Sequence, residues 1–167
     1  MSHGRIVPNG SGLRPAITST LVRRWLDRRG VPVGPGRELE SLSREDCMKY
    51  VDRHPARVGR IALAGPRPVI FPVNYAVDGN NIVFRTDPGT KFHAAVHKAF
   101  VAFEVDWVEP DWQIGWSVVV RGQARLVEDP DELRRLSRLP LVPWAKGEKG
   151  NYVRIDTKLI SGRRLKE

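Results

Sequence analysis

The 167-residue chain predicts a mainly β domain, a small closed barrel of five or six antiparallel strands with three short helices between them. Apolar runs of strand length, bounded by Gly, Pro, Asp and Asn, fill residues 58 to 126, which is the punctuation of antiparallel sheets. Several runs, notably "VIFPVNYAV" and "WSVVVRGQA", are nearly continuous in apolar residues. Strands of that kind are buried on both faces, as in a barrel covered by helices or by a second subunit.

The elements follow in order. Residues 1 to 38 form a basic extension rich in breakers, "PNGSG" and "RGVPVGPGRE", with one possible short helix at "TSTLVRRWLDRRG". The compact domain spans 39–167. In "LSREDCMKYVDRH", Ser43 suits an N-cap, Glu45 and Asp46 favour the first helical turn, and Met48 and Val51 give an apolar face. "VGRIALAG", "VIFPVNYAV" and "IVFRT" read as strands. Asp78-Gly79 signals a hairpin, in a loop lengthened by Asn80 and Asn81. "GTKFHAAVHKA" is a helix with Phe92, Ala95, Val96 and Ala99 on one stripe. The strands "FVAFEVDWV" and "GWSVVVRGQARLV" come next. "DPDELRRLSRL" is a helix capped by Asp129 or Asp131, and "NYVRIDTKLISGRRL" closes the chain as one or two strands.

Composition excludes several classes. No apolar run is long enough to span a bilayer, the N-terminus lacks a secretory apolar stretch, and Cys47 is the only cysteine, which leaves no intrachain disulfide and no thiolate metal site. The expected location is cytoplasmic. The net charge of +9 is unevenly spread: seven arginines against Asp27 put +6 in residues 1 to 37 and leave +3 elsewhere. The arm has the charge to touch nucleic acid, an anionic membrane or an acidic partner, and a solvated tail is the plainer reading.

One motif carries chemistry. In "VFRTDPGTK" Pro88-Gly89 makes a tight turn, Thr90 and Lys91 enter the first turn of a helix, and Arg85 and Thr86 leave a strand beside it. Two cations, two hydroxyls and backbone donors suit an anion such as phosphate. The same residues also suit a capped surface turn, with Thr90 as the cap and Arg85 paired to Asp87 or Glu104. A cation in the first helical turn is unfavourable for the helix itself, which favours a ligand without deciding the matter. His93 and His97 stand four residues apart, but no carboxylate in that helix completes a metal site.

"PVNYAVDGNNIVFRTDPGTK" followed by "VAFEVDWVEPDWQIGWSVVVRGQARLV" resembles the flavin-binding split-barrel family, the pyridoxamine 5'-phosphate oxidase-like group. The likeness is to its short actinobacterial-type members and to nitroimidazole-resistance reductases, and covers about Leu42 to Leu165. It implies a six-stranded antiparallel split barrel forming homodimers, with FMN at the subunit interface. It implies that Val73, Asn74 and Tyr75 lie along the flavin ring, that Arg85, Thr86, Thr90 and Lys91 hold the phosphate, and that Ser117, after Trp116, adds a polar group near the ring. Trp144, Tyr152 and Arg154 are its candidates for residues from the second subunit. The plainer readings are a strand-edge role for Asn74, a half-buried strand position for Tyr75 and a core or dimer contact for Trp116. The resemblance implies an FMN-dependent oxidoreductase passing hydride to a small substrate of the nitroaromatic kind. The alternatives are a reductase using the deazaflavin coenzyme F420 and a non-catalytic flavin- or haem-binding protein. The C-terminus lacks the longer arginine- and histidine-bearing section of the true oxidase, which argues against pyridoxamine phosphate as substrate. No catalytic residue is identified.

Overall fold

The computed structural model describes residues 38–109, 115–142 and 149–165, with the backbone alone at 91, 95 and 96. All but the last residue of the expected basic extension lies outside the described residues. The elements are β1 (Leu39–Ser41), α1 (Arg44–Arg53), β2 (Val58–Leu63), β3 (Val69–Asp78), β4 (Asn81–Thr86), α2 (Thr90–Val96), β5 (Phe100–Val108), β6 (Gly115–Leu126), α3 (Pro130–Leu136), β7 (Asn151–Asp156) and β8 (Leu159–Leu165). Every strand pairing is antiparallel. The order β6-β5-β2-β3-β4-β7 returns to β6 and closes a six-stranded barrel, while β8 and then β1 extend from β6.

Two strands make the closure possible by changing partners part-way. β3 pairs with β2 over Val69–Asn74 and with β4 over Tyr75–Asp78. β6 keeps β5 on one edge, and on the other it pairs with β8 over Trp116–Arg121 and with β7 over Ala124–Leu126. Gly122 sits at that second changeover. A Cβ there would lie 2.1 Å from the Asp156 carbonyl oxygen and 2.7 Å from its Oδ1, so the strand crosses only where no side chain stands.

Inside the barrel pack Ile61, Tyr75, Ile82, Phe84, Phe103, Val105, Val118, Val120, Val153 and Ile155. Outward-facing Ala76 and Val83 are covered in turn by Leu136 of α3 and by Leu141. That second layer explains why "VNYAV" and "IVF" show no alternation: both of their faces are buried.

The cap of α1 is as expected, with the Ser43 hydroxyl accepting from the Asp46 N–H at 3.1 Å. Its buried face differs. Cys47 and Val51 are fully buried while Met48 is only half-buried, because Cys47 rests on Gly162, where a Cβ would stand 2.8 Å from its Sγ. Small residue against glycine sets the helix rotation. Burial pushes the Cys47 thiol up from its ordinary pKa, in keeping with an inert packing residue. The β3–β4 loop is shorter than expected, since Asp78 pairs with Asn81 and leaves only Gly79 and Asn80, with Gly79 at φ 57. Strand β1, three residues on the edge of β8, was not foreseen. The helix α2 stops at Val96, where Lys98 turns left-handed (φ 51) and the Ala99 N–H reaches back to the Ala94 carbonyl at 2.9 Å.

At the end of α1, His54 is 8% exposed, its Nδ1 has no partner, and its ring meets the edge of Trp116 at 5.8 Å. Burial holds its pKa below the ordinary value, opposed by Asp106 and assisted by Arg60 and Arg57.

Two outcomes follow from this packing. Gly122→Ala lowers stability by about 3 kcal/mol, the upper end of ordinary overpacking, because a carbonyl oxygen cannot move aside. Gly65→Ala, whose Cβ would meet nothing nearer than 3.9 Å, leaves the urea midpoint in place. For His54 the folded state favours the neutral ring, so stability is full above about pH 6.5 and falls as the pH drops toward the depressed folded value. Urea unfolding between pH 8 and 5 shows this loss in the native chain and a smaller one in His54→Phe.

Candidate functional site

The site forms where β3 leaves β2 for β4. Successive residues of a strand face opposite ways, so with Tyr75 pointing into the barrel, Asn74 faces outward. The β3–β4 pairing ends at Tyr75–Phe84; Asn74, paired with Val58, and Arg85, paired with Tyr152 of β7, follow on either side of the parting. Arg85 donates from Nε to the Lys149 carbonyl at 2.8 Å and its guanidinium lies 5.3 Å from the Tyr152 ring centroid. Thr86 is buried; its hydroxyl donates to the Asp87 carbonyl at 3.1 Å, and its own carbonyl accepts from Asn151 Nδ2 at 3.2 Å.

The turn at Asp87–Gly89 follows. The His93 N–H reaches the Gly89 carbonyl at 2.9 Å, so Thr90 stands exposed inside the first turn and is not the cap. With seven residues, α2 has a weak dipole, so an anion placed here would depend on side chains. The Lys91 side chain and the whole of Trp144 lie outside the described residues. Glu104 is not the partner of Arg85: it pairs with Arg60 at 3.0 Å.

The other predicted residues are scattered. Val73 and Tyr75 point into the barrel core. The Tyr75 hydroxyl donates to the Val51 carbonyl at 2.6 Å, its ring meets Phe103 edge-on at 5.1 Å, and its N–H donates to the Arg57 carbonyl at 3.0 Å. Burial holds its phenol neutral. Trp116 packs inward under α1 against Tyr50 at 4.9 Å. Ser117 faces outward beside Asp106 and Arg163, three strands from Asn74, or roughly 14 Å at ordinary strand spacing. Arg154 lies on the same outer face as Tyr152 and donates to Glu132 of α3 at 2.6 Å, which commits its charge. The structure therefore assembles Asn74, Arg85, Thr86, Tyr152 and Arg154 in one region and leaves Trp116 and Ser117 apart.

Sequence reasoning missed Arg57. It lines a pocket of about 300 Å³ with Pro55, Ala56, Asn74, Tyr75, Pro140, Leu141 and Val142, and its backbone is left-handed at φ 48. Neither the turn nor the pocket has a signature in "HPARVGR". His93 and His97 are exposed, and among the described residues no group of three or more His, Cys, Asp or Glu side chains is placed to hold a metal.

The family model described as pyridoxamine 5'-phosphate oxidase matches residues 43–164. The chain belongs to this family. A Mycobacterium tuberculosis protein of uncharacterised role is 34% identical over 146 residues, covering 83% of this chain and 92% of its own. Two solved structures share the fold. One is the FAD-binding protein from Mycobacterium smegmatis, 33% identical with a TM-score of 0.62, the match covering 76% of this chain and 98% of that one. The other is an FAD-binding protein from Mesorhizobium loti, 26% identical with a TM-score of 0.63, covering 79% and 100% respectively. The six-stranded closure is thus the split barrel of this family.

Tyr75→Phe removes the donor to Val51 and leaves a buried carbonyl unpaired, a loss of about 1–3 kcal/mol in urea unfolding. Ligand affinity at the outward face stays within about twofold, because the phenol never reaches it.

Proposed function

We propose that the protein binds a phosphorylated flavin, FMN in the first instance, and acts as a flavin-dependent oxidoreductase toward a small, nitroaromatic-type substrate. The observation that carries this reading is the outward row of Asn74, Arg85 and Tyr152 at the parting of β3 and β4, with exposed Thr90 following at the turn. Its donor set fits the group: a guanidinium, an amide and the Thr90 hydroxyl answer a phosphate and the polar edge of a ring, while the buried Thr86 hydroxyl is spent on the Asp87 carbonyl. Asp87 is the one carboxylate on the turn. The FAD-binding relatives from M. smegmatis and M. loti support a flavin and carry the same phosphate chemistry with a nucleotide added.

When bound, the flavin supplies hydride transfer at its ring nitrogen. The chain's part is to hold and orient. Arg85, held by Lys149 and Tyr152, would bring its charge to the phosphate together with Thr86, Thr90 and Lys91, and charge-assisted bonds would set register. The Asn74 amide lies along the ring edge. Val73 and Tyr75 contribute through the backbone and the stiffness of the strand, since their side chains fill the core.

The reading includes a second copy of the chain. The outer face of β3, β2, β5, β6 and β8 exposes Ile70 at 67%, Phe100 at 65% and Leu159 at 54%, an apolar patch of the kind that marks an interface. Ser117 lies on that face, so a partner delivers it to a flavin at Asn74 more readily than its own subunit does. The candidate contributions of Trp144, Tyr152 and Arg154 to a shared site belong to the same proposal. Among the described residues no helix is long and apolar enough to cross a membrane.

Titrating the ligand-free protein with FMN, FAD and coenzyme F420, followed by fluorescence and by mass spectrometry of the native complex, tests the assignment. FMN or FAD binds, and Arg85→Ala with Lys91→Ala weakens that binding at least tenfold, since each charge-assisted contact is worth about 1.5–3 kcal/mol. Unchanged affinity in a folded double variant overturns the phosphate assignment, and preference for F420 overturns the flavin.

A further inference from the structure

The pocket beside Asn74 has a character of its own. It is lined by Pro55, Ala56, Pro140, Leu141 and Val142 together with Arg57, Asn74 and Tyr75, and the Arg57 guanidinium meets Asp52 of α1. At about 300 Å³ it stands at the small end of ligand cavities. A mostly apolar lining with one arginine among its residues suits a small molecule with an apolar body and a single anionic end that the guanidinium can turn to meet.

The backbone of Arg57 supports a role beyond folding. Its φ of 48 is a conformation in which glycine is free of the penalty that a side chain brings. The turn it closes is held entirely by main-chain groups: its N–H meets the His54 carbonyl at 3.3 Å and its carbonyl receives the Tyr75 N–H at 3.0 Å. Glycine makes both bonds equally well. The arginine side chain is therefore an addition that the turn does not require, and such residues gather at ligand sites. Its partner is replaceable too. Asp52 meets Arg57 Nη1 at 3.3 Å with the carboxylate side chain 57% exposed, and exposed pairs of this kind hold weakly.

We propose that this pocket is the subsite for the molecule that shares the site with the flavin, and that it takes a small organic carboxylate gripped by Arg57 in exchange for Asp52. The proposal rests on the flavin reading for its role and on Arg57 and the pocket for its chemistry. The ligand's apolar body lies against Leu141 and Val142, its carboxylate meets the guanidinium, and Asn74 stands between the two ligands.

Benzoate is the probe and benzamide its neutral counterpart, measured by calorimetry on the full chain with and without FMN. Benzoate binds and benzamide binds at least tenfold more weakly. Arg57→Gly relaxes the backbone and deletes the guanidinium; it melts no lower than the parent yet loses benzoate affinity at least tenfold, with flavin affinity unchanged. Asp52→Asn frees Arg57 and tightens benzoate two- to threefold. Failure of benzoate to bind the parent, or equal binding to Arg57→Gly, overturns the proposal. A parallel loss of flavin affinity in Arg57→Gly also overturns it, by assigning the pocket to the cofactor. Benzoate binding through Arg57 in a chain that binds no flavin upholds the carboxylate site while the flavin reading fails.

Discussion

The close crossing of β6 by the link between β7 and β8 governs this fold. A strand has two edges, and β6 gives one of them wholly to β5. The other must serve β7 and β8, which are joined by only Thr157 and Lys158. The chain therefore has to turn directly over β6, and it does so at Gly122, against the Asp156 carbonyl. The turn is then fastened from above. Arg44 donates to the Thr157 carbonyl at 2.6 Å and to its hydroxyl at 3.0 Å, and that hydroxyl donates to the Asn80 carbonyl at 2.6 Å. One buried threonine thus ties β7–β8, α1 and the β3–β4 hairpin together. Without the crossing, the six strands would remain an open sheet with a free edge.

The second change of partner, in β3, sets where the proposed flavin site lies. Strands that part leave backbone and side chains facing a gap, and the gap lies between Asn74 and Arg85. What keeps it open is Tyr75. Held by Val51 through its hydroxyl, by Arg57 through its N–H and by Phe103 through its ring, it fixes the strand at the point of divergence. Gly59 completes the arrangement, because a Cβ there would stand 2.3 Å from the Phe103 ring. A residue read as a ligand from the sequence is in the structure a strut, and rigidity one residue from a site is what holds Asn74 in place.

The legible parts of the molecule were those fixed by local physics. Ser43 before "RED" and Asp129 before "PDE" announce helix starts, and strand-length apolar runs announce the barrel. The site was legible in part because "FRTDPGTK" keeps its residues close together in the chain. What could not be read depends on distant contacts. The inward direction of Tyr75 follows from the pairing register, Trp116 is drawn under α1 by Tyr50 and His54, and Arg57 joins Asn74 only after β2 and β3 pair. Cys47 displaces Met48 from the buried face through Gly162, which lies 115 positions later. β1 has only three residues, too few to carry a periodic signal.

The two outer faces of the barrel contrast. Over β4 and β7 the chain supplies its own cover through α3 and Leu141. Over β2, β5, β6 and β8 the described residues supply none, and to one side of the exposed apolar residues lies an ion cluster in which Arg60 meets Glu104 at 3.0 Å and Asp106 at 2.5 Å. On an open surface such pairs contribute at most about 1 kcal/mol each. Burial, followed by the neighbouring Asp106, already pulls the Glu104 carboxyl upward. The register places Arg121 and Arg163 outward on the same face. Two carboxylates and three guanidiniums thus lie on one outer face, and a twofold axis asks for both signs of charge, since the same surface must meet itself. That charge pattern is compatible with the second copy that the flavin reading proposes.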